Sequence, residues 1–257
     1  MYLTLPIAIF LFFAGVLGGA LNAVAGGGSF IAFPALLFSG VAPIAANATN
    51  TVGLWVGVTA SGGAYRKHLD ISRRVMIPLA VTSVIGGIAG AFLLLHTPAQ
   101  TFLRVLPWLM LGATLLFIFG NRLGRGSGNA LAQDASTKAL AVATLFELVV
   151  AVYGGYFGGG IGILNLAMLA ILGMTDIHAM NALKVVLGGI INGIAVITFI
   201  LAGAVVWKQG SVVIVGAVFG GYFGAHYAQK LPGAWIRRFV IAVGTTMTAY
   251  FFWKGYH

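Results

Sequence analysis

The chain has 257 residues, of which 60% are hydrophobic and 7% charged; it has a formal net charge of +10 and no cysteine. A soluble globular domain carries about 25% charged residues, so 14 basic and 4 acidic side chains cannot wet a surface of this size. That excludes a soluble enzyme and a disordered or fibrous chain, and the missing cysteines exclude a disulfide framework, thiolate metal sites and a cysteine nucleophile.

What remains is an all-α polytopic membrane protein. A spanning helix needs about 20 apolar residues to cross a hydrocarbon core of roughly 30 Å. The first apolar run is 5–25, with no basic stretch before it, so a cleaved signal peptide is not expected. It ends at Gly26-Gly27-Gly28-Ser29, and a short run, 29–40, follows. Three long runs come next, 44–64, 75–95 and 101–120. The stretch 121–138 holds Gly124, Gly126, Gly128, Arg122, Arg125 and Asp134 and reads as a flexible linker. Beyond it lie 138–157, the cluster Gly158-Gly159-Gly160-Ile161-Gly162, a second short run, 161–173, and then 179–203, 211–229 and 234–253. At 1.5 Å per residue the two short runs reach about 18–20 Å, little more than half the core. Each follows a glycine cluster, which breaks a helix and lets backbones approach.

The halves resemble each other. At a shift of 134 positions Asn47 falls on Asn181, Gly86 and Gly87 on Gly220 and Gly221, Gly90 on Gly224, Pro98 on Pro232 and Arg104 on Arg238. The glycine clusters align at a shift of 132 to 134. Residues 1–120 are therefore a first repeat and 139–257 a second. Arg66, Lys67, Arg73 and Arg74 place the 65–74 loop in the cytoplasm, Arg122, Arg125 and Lys138 place the linker there, and Lys230, Arg237 and Arg238 do the same for the 230–238 loop. The loops at 96–104 and near Lys208, with one positive charge each, go outside. This pattern requires each glycine-broken hairpin to begin and end on one side. Three further crossings then complete a repeat, so the second repeat is inverted and both termini lie outside. Inverted repeats with interrupted helices point to a secondary transporter with its site near the midplane.

The short helices present free N–H groups and the positive end of the helix dipole at Gly26, Gly27, Gly28 and at Gly158, Gly159, Gly160. Two such ends make an anion site, and Ser29 either caps its helix or donates to the ligand. The structural alternative is close packing through small residues. Asn47 and Asn181 offer amide donors at equivalent positions, with Asn50 and Thr51 nearby and Lys184 as the mate of Asn50. Interhelical hydrogen bonding is the other use of such asparagines, and snorkelling is the other use of Lys184. Glu147, in the middle of an apolar run, needs a partner or a proton; Lys184 is a candidate partner, and proton coupling is the other role. His226 is a second coupling candidate against a packing role. Trp108, Trp207, Trp235 and Trp253 fit an aromatic belt, and Arg104 and Arg238 fit interfacial anchors. There is no HExxH, no paired carboxylates, no GxSxG and no P-loop lysine, so no enzyme, cofactor or metal site is expected, and transport is passive or ion-coupled.

The chain resembles the TauE/SafE family of membrane anion exporters. The resemblance rests on Asn22-Ala-Val-Ala-Gly-Gly-Gly28-Ser29, Pro34 and Ala46-Asn47-Ala-Thr-Asn50-Thr51, echoed by Gly154-Gly-Tyr-Phe-Gly-Gly-Gly160-Ile-Gly162 and Met180-Asn181-Ala-Leu-Lys184. It implies export of sulfite or a small organosulfonate driven by an ion gradient, with the glycine hairpins and asparagines at the site. The halves depart from each other at Ser29 against Ile161 and at Asn50 against Lys184. The expected setting is a bacterial cytoplasmic (inner) membrane. The expected partners are the bilayer, a small anion and a coupling proton or sodium ion, with a homodimer compatible and no nucleic acid. An uptake carrier for another small oxyanion, such as thiosulfate or a carboxylate, a channel and a non-transporting assembly factor are the alternatives.

Overall fold

The computed structural model describes residues 3–61, 72–119, 136–227 and 233–256. They form ten helices: α1 (Leu5–Ala25), α2 (Ser29–Phe38), α3 (Pro43–Ser61), α4 (Arg73–His96), α5 (Ala99–Phe119), α6 (Thr137–Tyr156), α7 (Ile161–Ile171), α8 (Ile177–Leu201), α9 (Trp207–Tyr227) and α10 (Gly233–Tyr256). Each begins within a few residues of an apolar run. The apolar stretches Leu5–Ala23, Arg73–His96, Ala99–Phe119, Thr137–Tyr156 and Ala179–Leu201 are long and apolar enough to cross a membrane. α2 and α7 have only 10 and 11 residues.

Local chemistry sets the ends. Proline opens α1 and α3, where a missing N–H costs nothing. Gly26 ends α1 in the left-handed conformation, φ 73°, and its N–H bonds Asn22 O at 3.1 Å. Gly160, at φ 79°, sits just before α7. An L side chain pays steric strain at such angles, which is why glycine stands there. Ser136 caps α6, its Oγ accepting from Ala139 N at 3.1 Å.

The surface is apolar where a soluble protein's would be polar. α1 exposes Leu5, Ile9, Phe13 and Leu17, and α4 exposes Ile77, Val81, Ile85, Ile88 and Phe92. At spacings of three and four residues these form one stripe per helix, facing lipid. Trp108, Trp207 and Trp253 are also exposed, as an aromatic belt requires.

The helices of the two halves pack across each other, through glycines. On α9, Gly216 approaches Phe12 O, Gly220 approaches Val16 O and Gly224 approaches Ala20, so α1 and α9 advance together and run parallel. Gly15 and Gly53 both meet Val213, and Gly19 and Gly57 both meet Ala217, so α3 runs beside α1 in the same direction. In the other seam Gly86 meets Leu148 O and Ala151, while Gly90 meets Val152 O and Tyr156 N; α4 and α6 are parallel too. The first turns of α4 and α8 share an apolar cluster through Val75, Leu79, Ala179 and Leu183, and Gly87 meets Ile191 further along. α8 runs against α3: Trp55 Nε1 donates to Gly189 O at 3.1 Å, while Val206 N, beyond the end of α8, donates to Thr49 Oγ1 at 3.0 Å. The glycines that match between the halves, Gly86 with Gly220 and Gly90 with Gly224, thus occupy equivalent contacts.

Most of the linker, the 65–74 loop up to residue 71, and Lys230 lie outside the described residues.

Candidate anion site

The two glycine breaks converge on α5. A Cβ added to Gly27 would lie 3.4 Å from Phe117 Cζ, and one added to Gly160 would lie 3.3 Å from Ala113 Cβ, one helical turn away. Trp55 and Gly189 mark the same level. Leu54 packs on Gly18, which also faces the Gly28 carbonyl, and Ile161 packs against Gly188. Trp55 and Gly189 are mates at the 134-residue shift and touch directly. Tyr153 Oη donates to Gly159 O at 2.6 Å, bracing the second break.

In the first half, Gly28 and not Ser29 is the N-cap of α2, and no side chain caps that helix. Ser29 Oγ instead accepts from Asn50 Nδ2 at 3.2 Å. Asn47 Nδ2 donates to Tyr156 O at 2.9 Å, joining the first turn of α3 to the last turn of α6. Thr51 Oγ1 donates to Asn47 O at 2.9 Å. Asn47 and Asn50 are fully buried, and their Oδ1 atoms have no hydrogen-bond partner. The Asn47 amide is oriented by its carbonyl acceptor, since the opposite orientation would set oxygen against oxygen. Asn50 is not so constrained: Ser29 is donor and acceptor, so the pair can reverse and free Nδ2 for a ligand.

In the second half, Lys184 Nζ donates to Asn181 Oδ1 at 2.8 Å. The stem of Lys184 lies over Gly162, whose Cβ would stand 3.4 Å from Lys184 Cδ. The stem therefore crosses the first turn of α7, and the ammonium turns back along α8 to Asn181. Asn181, with its oxygen on Lys184, keeps its amide hydrogens as donors. Among the described residues no carboxylate forms a salt bridge with Lys184.

Asn50 and Lys184 are not brought together. Each stands five residues before its half's contact point, Trp55 or Gly189, and α3 and α8 run in opposite directions. Ten residues at 1.5 Å separate them by about 15 Å along the helices. The first half offers neutral groups and the second a cation. Glu147 is not paired with Lys184: its Oε1 accepts from Ser83 Oγ on α4 at 2.6 Å. The side chain of His226 lies outside the described residues.

Sequence reasoning passed over Asn165. It is fully buried on α7, and neither of its amide atoms has a hydrogen-bond partner. Its position matches Phe33 in the first half, so a search for polar residues shared by both halves misses it. The available signal was an asparagine in an apolar run. Gln209, at the start of α9, was passed over too; it is buried and its Oε1 is unpartnered.

Apolar helices in parallel cross-half seams and two interrupted helix pairs meeting on α5 define a multi-pass membrane protein, and the comparisons with known proteins make it a membrane transporter. The chain belongs to the sulfite exporter TauE/SafE family, whose model matches residues 11–251. It is 29% identical over 244 residues to a probable membrane transporter protein of Haemophilus influenzae, covering 93% of this chain and 92% of that one. It is 27% identical over 240 residues to the probable membrane transporter protein ORF9 of a Sinorhizobium species, covering 93% and 89%. With the probable membrane transporter protein YfcA of Escherichia coli K12 it shares 28% identity over 246 residues, covering 93% and 87%. No solved structure matches the chain.

Asn47 carries a separable prediction. Asn47→Ala leaves the Tyr156 carbonyl without its donor inside the bundle, which costs about 1–3 kcal/mol. A melting temperature lowered by several degrees in detergent is the expected result, and an unchanged value would show that the cross-half bond contributes nothing.

Proposed function

We propose that the protein exports a small anion, sulfite or an organosulfonate, across the cytoplasmic membrane by alternating access between two inverted repeats. The observation that carries the reading is Lys184: its stem crosses the N-terminal turn of α7 and its ammonium has a neutral amide as hydrogen-bond partner. A membrane-embedded charge without a counter-charge marks a ligand pathway, and an anion fitted between the ammonium and the α7 N–H groups supplies that counter-charge.

The helix directions support inversion. α1, α3 and α9 run one way and α4, α6 and α8 the other, so each matched pair, α1 with α6, α3 with α8 and α4 with α9, is antiparallel. The same parity supports a reading in which α4, α6 and α10 start at the cytoplasmic face, as the positive-inside rule asks of the basic stretches before them, with both termini outside. Substrate binding would lie at the glycine breaks on α5, with Gly26 to Ser29, Asn50 and Thr51 on one side and Gly158 to Gly160, Asn181 and Lys184 on the other. Rocking of one half against the other exposes the site alternately. Ion coupling falls to Glu147 or His226.

Counterflow in vesicles tests the reading. Vesicles preloaded with unlabelled sulfite should accumulate labelled sulfite transiently and saturably. Sulfoacetate should compete, and chloride and acetate should not. Sulfite entry that is linear with concentration and indifferent to preloading would replace the carrier with a channel. No protein-dependent flux of any anion tested would remove the transport assignment.

A further inference from the structure

We propose that Glu147, Ser83 and Asn165 form a proton-binding site buried in the α4–α6–α7 seam, in which Glu147 takes up and releases a proton that Asn165 helps to hold. Its role in driving transport rests on the function proposed above; the site itself does not.

Glu147 and Asn165 are each fully buried, and three of their polar atoms, Glu147 Oε2 and both amide atoms of Asn165, have no hydrogen-bond partner. Buried polar atoms in a bundle are nearly always satisfied, so three orphans in one part of the fold call for an occupant. Their placement is matched. On α6 the face Ala143–Glu147–Ala151 carries Glu147 between two apolar clusters, and on α7 the face Ile161–Asn165–Leu169 does the same for Asn165. Ala143 and Leu169 belong to one cluster, and Ala151 and Ile161 to the other. α6 and α7 pack together as a hairpin, so the polar interruption falls at one level on both helices.

Packing does not demand a polar group there. In the equivalent α1–α9 seam the position of Glu147 is Gly15 and that of Ser83 is Ala217, and there the two backbones approach, a Cβ added to Gly15 standing 3.2 Å from Ala217 N. A carboxyl group has been introduced into one seam of two.

The occupant is a proton by ligand count. Glu147, Ser83 and Asn165 supply four side-chain oxygens, and helix-interior carbonyls are already bonded. That is fewer than the roughly five or six oxygens a sodium ion seeks, whereas a proton on Oε2 needs one acceptor, the role this proposal gives to the unpartnered Asn165 Oδ1. The Ser83 bond fixes Oε1, leaving Oε2 as the protonated atom. Among the described residues, the charged groups on the helices of this seam are distant or committed. Arg73 and Arg74 stand at the first turn of α4 and His96 at its last, Lys138 starts α6, α7 has none, and on α8 Lys184 bonds Asn181.

Infrared difference spectra of the purified protein across a pH titration test the site without transport. A titrating protonated-carboxyl band should be present in wild type, absent in Glu147→Gln and shifted in Asn165→Ala. No such band, or one unchanged in Asn165→Ala, overturns the proposal. A sodium-dependent rise in melting temperature at constant ionic strength, lost in Glu147→Gln, would overturn the proton in favour of a metal cation. For coupling, Glu147→Gln should keep sulfite counterflow but lose accumulation driven by a pH gradient by at least tenfold. Retained pH-driven accumulation overturns the coupling role, while absent counterflow in wild type would instead count against the export function.

Discussion

Replacing Lys184 with methionine should abolish anion transport while leaving the protein folded. At an effective dielectric constant near 20, one ion pair at 4 Å is worth about 4 kcal/mol, equivalent to roughly a thousandfold in affinity. A loss of sulfite counterflow of at least a hundredfold is therefore expected. The methionine stem can still pack over Gly162, so the melting temperature without ligand should be close to wild type. Lys184→Arg keeps the charge but changes its shape and should retain part of the activity. Transport by Lys184→Met within a few-fold of wild type would move the anion away from α7. This variant is a cleaner probe than removing Asn47 and Asn181 together, because Asn47 also ties α3 to α6.

The second large effect belongs to the glycine seams. Gly220→Leu and Gly90→Leu should each prevent recovery of folded protein, because a Cβ at Gly220 would run into Val16 O and one at Gly90 into Val152 O. Even alanine requires backbones to separate, and overpacking of that kind costs about 1–3 kcal/mol or more. Gly220→Ala and Gly90→Ala should lower the melting temperature by similar amounts, since each added Cβ meets a backbone carbonyl of the facing helix equally closely. Gly112 is the control: nothing lies within 4 Å of an added Cβ, so Gly112→Ala should be neutral or stabilising by up to about 1 kcal/mol. Size-exclusion profiles after heating would read all three. A Gly220→Ala protein as stable as wild type would mean that the close approach of α1 and α9 is dispensable.

The ten elements were legible in advance, and so were the two breaks. The short runs after Gly28 and Gly160 became α2 and α7, and the matched glycines Gly86, Gly90, Gly220 and Gly224 became the seams. The candidate site was legible in residue type but not in hydrogen-bond direction. Asn47 was expected to donate to an anion and donates one hydrogen to Tyr156 O; Ser29 was a candidate cap and accepts from Asn50; Glu147 was a candidate partner for Lys184 and accepts from Ser83. Asn165 was missed because its first-half equivalent is a phenylalanine.

The sequence by itself determined the membrane class, the order of the helices and their bounds to within about four residues, the positions where they break and the family. These are local matters: in lipid each segment must satisfy its own backbone groups, so an apolar stretch of sufficient length becomes a helix and a glycine cluster ends one. The tertiary structure alone decided which faces meet. That α1 packs on α9 and α4 on α6, that Ser83 reaches a carboxyl 64 positions away, and that Lys184 lies over Gly162 all depend on how each helix is rotated about its axis. In helices that are apolar almost all round, the sequence carries little record of that rotation, and it becomes readable only when the neighbours are in place.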